Sequence, residues 1–244
     1  MIRPKFNLTF RRFDSKSILI SWPNLIENDV LYDVLSFKKS ISLSNKALVE
    51  VLNAYNSLLV TYTNTIDNIY NEIKSLKMLY LDINYDIYES KITWKIPVCY
   101  DDYFATDLEN ISNNKNIEKN EIIELHYKNT YKVCFLGFLP GFLYLSNLNK
   151  RLYFPRKVQP DLNILKGSVG IGGNQTGVYP SNSPGGWNII GNSPIDFINK
   201  DKLHKISFAS AGDSLIFFPI DIKEHNYISN NLDSYIIESE VSND

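Results

Sequence analysis

The chain has 244 residues, 44% hydrophobic and 21% charged, with 25 basic against 27 acidic side chains and a formal net charge of −2. This balance gives no electrostatic footprint for nucleic acid or for an anionic membrane surface, and no apolar run approaches the roughly 18 residues of a membrane span. Length suits one large or two small domains. The two cysteines, Cys99 and Cys134, form no CxxC and sit in apolar strand-like runs. They are expected to be reduced, buried thiols of a cytoplasmic protein. The N-terminus has basic residues but no apolar segment after them, so no secretory signal is expected.

In chain order, Lys5 to Phe10 alternates and reads as a strand, followed by a second strand from Ser17 to Trp22. Asn28 to Lys39 has apolar residues near helical spacing, with Asn28 or Asp29 as a cap. Leu48 to Leu52 and Leu58 to Tyr62 form a hairpin, and Asn64 to Tyr80 is a helix. This ββαββα order predicts a small α+β domain over residues 1–88, an antiparallel sheet covered by two helices. It contains no histidine or cysteine, and no constellation for chemistry.

Leu81 to Ser90 holds the expected domain junction. Lys91 to Tyr100 is a strand, Asp107 to Ile111 one helical turn, and the Asn-rich stretch after it a surface segment. Glu121 to His126 is a short helix and Tyr131 to Leu136 a strand. Ile206 to Phe208 and Ser214 to Phe218 are strands. The second domain is thus placed at 89–222. The tail over 223–244 is left open between a terminal helix and partial disorder.

Most of the chain's prolines and glycines lie between His126 and Pro194. Proline fixes φ and glycine permits positive φ, so this density predicts tightly turned β-structure. Loops on such a scaffold usually carry function, although a barrel that only needs tight turns would read the same way.

In this stretch GFLPGFLYL, Pro155-Arg156, GSVGIGGNQTGVYP and SPGGWNIIGNSP follow His126 at a characteristic spacing. Together with IPVCYDDYFATDLENI and AGDSLIFFPI they resemble the family of 5-oxoprolinase B subunits, also described as allophanate hydrolase subunit 1 or kinase-A-inhibitor-like, over roughly residues 10 to 220. The resemblance implies an α+β N-terminal domain followed by a cyclophilin-like β-barrel. It implies a cytoplasmic subunit, inactive alone, that acts with partner subunits A and C and uses ATP to open 5-oxoproline to L-glutamate. No tightly bound cofactor and no metal are expected on this chain, nor a nucleic-acid or membrane partner. Two other readings follow from the family's names: a non-enzymatic regulator that inhibits a sensor histidine kinase, and an accessory subunit of an allophanate or urea-amide hydrolase.

A lactam is a poor electrophile until its carbonyl oxygen is phosphorylated. A site that completes ring opening must hold a carboxylate and a phosphate and deliver a proton to nitrogen. Arg156 can bind either anion bidentately. His126, the one histidine in the motif block, is the candidate proton donor. Gln175, with Thr176 and Tyr179, offers neutral hydrogen bonds. Backbone N–H groups at Gly172, Gly173, Gly185 and Gly186 could cradle oxygens. Tyr144 and Trp187, with Phe138 and Phe142, would wall the pocket, though such aromatics more often build a core. Arg156 could instead pair with a carboxylate such as Asp161. The catalytic candidates are therefore His126, Arg156 and Gln175. The substrate-binding candidates are Tyr144, Gly172, Gly173, Thr176, Tyr179, Gly185, Gly186 and Trp187. The chain departs from the family pattern at Ile164-Leu165-Lys166, where Val-Pro-Ala is usual. Asp161 and Asn192 stand where arginine is frequent, and two lost cations would weaken an anion site.

Overall fold

In the computed structural model, which describes residues 6–24, 27–44, 48–83, 92–198 and 207–241, the chain falls into two units, Met1–Ser90 and Lys91–Asp244. The first contains β1 (Thr9–Arg12), β2 (Ser17–Ser21), α1 (Asn28–Ser44), β3 (Leu48–Asn53), β4 (Ser57–Tyr62) and α2 (Ile69–Leu81). The sheet is antiparallel in the order β1-β2-β4-β3. Alternation puts Ile18, Ile20, Leu58 and Val60 in one buried cluster with Val30, Val34, Phe37 and Ile41 of α1 and Leu76 and Tyr80 of α2. Asp33 is buried there and accepts hydrogen bonds from Trp22 Nε1 and the Tyr80 hydroxyl, both at 2.6 Å.

Three elements of this unit differ in their bounds from the sequence reading, the first helix by running on past Lys39 to Ser44. The first strand runs Thr9–Arg12 because its ladder with β2 pairs Thr9 with Ser21 through Arg12 with Ile18. Phe6 and Leu8 pack on the core from outside that ladder. The second helix starts at Ile69, not Asn64, because the Asn68 side chain accepts from the Tyr70 and Asn71 N–H groups and caps it. Most of the expected junction lies outside the described residues.

The second unit begins with β5 (Ile92–Cys99), α3 (Leu108–Lys115), α4 (Lys119–Tyr127), β6 (Thr130–Leu136) and β7 (Leu143–Ser146). It continues with β8 (Asp161–Ile164), β9 (Ser168–Gly172), β10 (Gln175–Val178), β11 (Ser183–Gly185), β12 (Asn188–Asn192) and β13 (Ser214–Ile220). It ends with α5 (Ile222–Asn230) and β14 (Ser239–Val241). Seven strands pair in the order β12-β9-β10-β7-β6-β13-β5, and β12 meets β5 again through Asn192 and Cys99, closing the expected barrel. Closure leaves these strands no long free edge. β13 and β5 are parallel, and β14 adds antiparallel to β5 beside the ring. β8 and β11 form a separate two-stranded ribbon.

The barrel interior holds Val133, Leu143, Leu145, Val169, Ile171, Val178, Leu215 and Phe217. The terminal stretch from 223 belongs to this unit: Ile228 of α5 is in the same buried cluster, and Tyr235 and Ile237 pack on it. The Asn-rich stretch is helical as far as Lys115, and Asn116 ends it at φ 53°. Of the expected strand at 206–208, Ser207 and Phe208 are described and lie in a bend. No helix of the described residues is long and apolar enough to cross a membrane.

Candidate functional site

The site is built on the outer face of β9 and β10. Strand alternation turns Val169, Ile171, Thr176 and Val178 inward. Gly170, Gly172 and Gly177 then face outward. A Cβ on Gly172 would stand 2.5 Å from Trp187 Nε1, and one on Gly177 2.5 Å from the Leu143 carbonyl oxygen and 3.0 Å from the Trp187 ring. The indole of Trp187 therefore lies on a surface cleared of side chains. It packs edge-on to Phe142 at 5.5 Å and Tyr144 at 5.7 Å, in a cluster with Tyr179, Ile164 and Ile189.

Arg156 lies above this platform, its guanidinium carbon 5.5 Å from the Trp187 ring centre, with Nη2 3.4 Å from Gln175 Oε1. These two residues, nineteen positions apart, are brought together by three anchors. Phe154 exchanges backbone hydrogen bonds of 2.9 and 2.7 Å with Gly173. Pro155 O accepts from Asn188 Nδ2 at 2.8 Å. Lys157 N donates to Gly186 O at 2.7 Å. Gly173 and Asn174 make the two-residue turn between β9 and β10, so Gln175 is the first residue past it. Gly173 has φ +70° and no atom within 4 Å of a Cβ, so backbone conformation, not crowding, calls for glycine.

Tyr144 is half-buried beside Arg156. Desolvation raises its hydroxyl pKa and the nearby guanidinium opposes that shift. Tyr179 is 2% exposed, and burial pushes it up to about 12 against a hydrogen bond from the Trp187 backbone. Both phenols stay protonated at neutral pH.

His126 requires a correction. It is fully buried, stacked on Phe217 at 4.8 Å, with Nδ1 2.8 Å from the Tyr100 hydroxyl and Nε2 3.1 Å from Thr176 Oγ1. Thr176 Oγ1 donates to Gly170 O at 2.9 Å, so it accepts from His126 Nε2–H, and Nδ1 accepts from Tyr100. Both ring nitrogens are occupied, and burial lowers the pKa to about 3. His126 is neutral, walled in, and cannot deliver a proton to a ligand. Thr176 is equally buried and committed to the same chain of hydrogen bonds.

Of the glycines expected to cradle oxygens, Gly172, Gly173 and Gly185 have structural duties, and the Gly186 carbonyl accepts from Lys157 N. Gly172 lies in the β9–β10 ladder opposite Gln175, and Gly173 N–H is taken by Phe154 O. Gly185 is needed because a Cβ would collide with the Tyr179 hydroxyl. Trp187, at 4% exposed, forms the floor and not a wall, and Tyr179, expected to offer a hydrogen bond, is buried in the same cluster. Phe138 is exposed with φ +67°, edge-on to Phe142 and Tyr179. The polar side chains among these candidates that face solvent are Arg156, Gln175 and the rim of Tyr144.

The departures find structural partners. Asp161 pairs with Lys157 at 2.5 Å. Asn192 is buried, donating to Lys166 O at 2.8 Å and lying 2.9 Å from His225 Nε2. Lys166 forms an ion pair with Asp196, and Leu165 is half-exposed. Sequence reasoning missed Asn188, Lys157 and Asp107, which fix the Arg156 segment. Among the described residues no group of three or more His, Cys, Asp or Glu is placed to hold a metal ion.

The model of the carboxyltransferase domain, subdomain C and D, matches residues 8–208. The 5-oxoprolinase B subunit of Bacillus subtilis strain 168 is 40% identical over 132 residues, 54% of this chain and 55% of that protein. The 5-oxoprolinase B subunit of Haemophilus influenzae is 32% identical over 174 residues, 71% of this chain and 80% of that protein. The matched stretch thus spans little more than half of the Bacillus relative. In fold the chain is similar to a part of K. lactis urea amidolyase, with a TM-score of 0.83 at 19% identity over 99% of this chain and 17% of that one.

Proposed function

The chain belongs to the family of carboxyltransferase domains, subdomains C and D, and on that premise we propose that it serves as the B subunit of a 5-oxoprolinase. The observation that carries this reading is the 40% and 32% identity to two proteins of that name. The likeness to urea amidolyase, at 19% identity, speaks to fold alone.

In this reading the protein works within a complex whose other subunits, of the A and C types, activate 5-oxoproline with ATP and complete ring opening. It is inactive alone and carries no tightly bound cofactor. Its own contribution is the exposed edge of the Trp187 platform. Arg156 supplies a fixed positive charge for the carboxylate or the transferred phosphate. Gln175 orients the amide, and Tyr144 donates a hydrogen bond. The proton for the ring nitrogen comes from a partner subunit or from water, since His126 is sealed in the core.

The test is glutamate release from 5-oxoproline and ATP in a mixture of A-type and C-type subunits, with and without this chain. Release that requires the chain supports the reading. Release unchanged without it, with the other two subunits folded, rejects it.

A further inference from the structure

Arg156 and Lys157 are consecutive cations with opposite surroundings. Lys157 Nζ lies 2.7 Å from Asp107 Oδ2 and 2.5 Å from Asp161 Oδ2, and its side chain is 18% exposed. Asp107 is held in turn, its Oδ2 accepting from Ile189 N at 2.7 Å. Burial pulls the Lys157 pKa down, and the two carboxylates more than offset it. Arg156 is exposed and meets only neutral groups, the Gln175 amide and the Trp187 face. Among the described residues it has no acidic partner. Asp161 and Arg156 both act on the Tyr179 hydroxyl, so this carboxylate lies within electrostatic range of the same ring as the guanidinium.

We propose that Lys157 is a positioning residue: by holding Asp107 and Asp161, it keeps their carboxylates off the Arg156 guanidinium, so that Arg156 binds the carboxylate of a small carboxylic acid. The Asp161 side chain is 46% exposed and lies five residues from Arg156 in sequence. Released from Lys157, it would reach the guanidinium at the high effective concentration of a tethered group and displace a weakly held ligand. With one Nη2 contact given to Gln175, Arg156 keeps its other donors for bidentate recognition. The tyrosine and amide beside it suit a planar cyclic amide, and naming the acid as 5-oxoproline rests on the functional reading above.

The experiment follows ligand binding to the full chain by ligand-observed NMR. The probes are 5-oxoproline, butyrolactam (the same ring without the carboxylate) and acetate. Binding of 5-oxoproline should exceed that of butyrolactam by about tenfold, the range of one charge-assisted contact, and should fall to the butyrolactam level in Arg156→Ala. Lys157→Met should weaken it about as much, while Lys157→Arg retains it. Adding Asp161→Asn to Lys157→Met should restore binding, which a purely structural lysine would not allow. A melting curve for each variant separates unfolding from lost binding, and Asp161→Asn alone, which should bind at least as well as native, keeps the test open if Lys157→Met fails to fold. Equal binding of 5-oxoproline and butyrolactam, native binding in folded Lys157→Met, or no recovery in the double variant overturns the proposal. So does binding of neither 5-oxoproline nor acetate. Acetate binding that depends on Arg156 and Lys157 without 5-oxoproline binding keeps the carboxylate site and counts against the 5-oxoprolinase reading.

Discussion

The two faces of β10 carry the same kinds of residue to opposite ends. Thr176, turned inward, closes a chain of hydrogen bonds from Tyr100 through His126 to Gly170, with the ring nitrogens and both hydroxyls engaged. Gln175, one residue earlier and turned outward, meets Arg156 at the edge of the Trp187 platform. Inside, polar groups are mutually satisfied and inert, as burial demands. Outside, a cation is fixed by neutral contacts and left facing solvent. Residue type does not separate sealed polar groups from solvent-facing ones here; the side of the strand does.

Substitutions on the two faces should differ in size. Trp187→Ala should cost about 4 kcal/mol in urea unfolding, because it strips the cover from the glycine face. Gly177→Ala should cost about 3 kcal/mol, since the new methyl meets a backbone oxygen and cannot turn aside. His126→Gln should cost about 2 kcal/mol by disturbing both of its partners. Arg156→Ala should change stability by less than about 0.5 kcal/mol, as an exposed residue outside the core. A large stability loss in Arg156→Ala, or none in His126→Gln, would break the distinction between the faces.

Acid titration sharpens it. The His126 pKa is about 3 in the folded chain against an ordinary 6.5, so the unfolded chain takes the proton first. The stability that the neutral ring contributes is present above 6.5 and is lost as pH falls from there toward 3. The slope in that window is at most about 1.4 kcal/mol per pH unit for one proton. His126→Gln should flatten it by that proton's share. His225 is lowered by burial too and acts in the same sense, so some slope remains in the variant.

Much of the fold is legible in the sequence, because alternation and helical spacing are local. The hairpin of β3 and β4, the strand β5 and the first and second helices follow from spacing alone. The glycines are visible there but their purpose is not. Gly172 and Trp187 are fifteen positions apart, and their contact depends on the register of β9 against β12, which no local pattern encodes. His126 stands out as the one histidine in the motif block, but a sequence does not display burial, and burial sets its chemistry. Arg156 and Gln175 stand out by residue type, and their meeting depends on the Phe154–Gly173 bridge. The terminal strand β14 is short and exposed, with no periodicity to announce it.

If the chain acts as proposed and the outer edge of the platform, not the buried histidine, takes part in chemistry, the two must separate in the assembled complex. Glutamate release from 5-oxoproline and ATP, by this chain with its partner subunits, tests this most directly when Arg156→Ala and His126→Gln are compared per folded molecule. Arg156→Ala is expected to abolish release with its fold intact, while His126→Gln keeps it. Full activity in Arg156→Ala beside loss of activity in a folded His126→Gln would contradict that assignment.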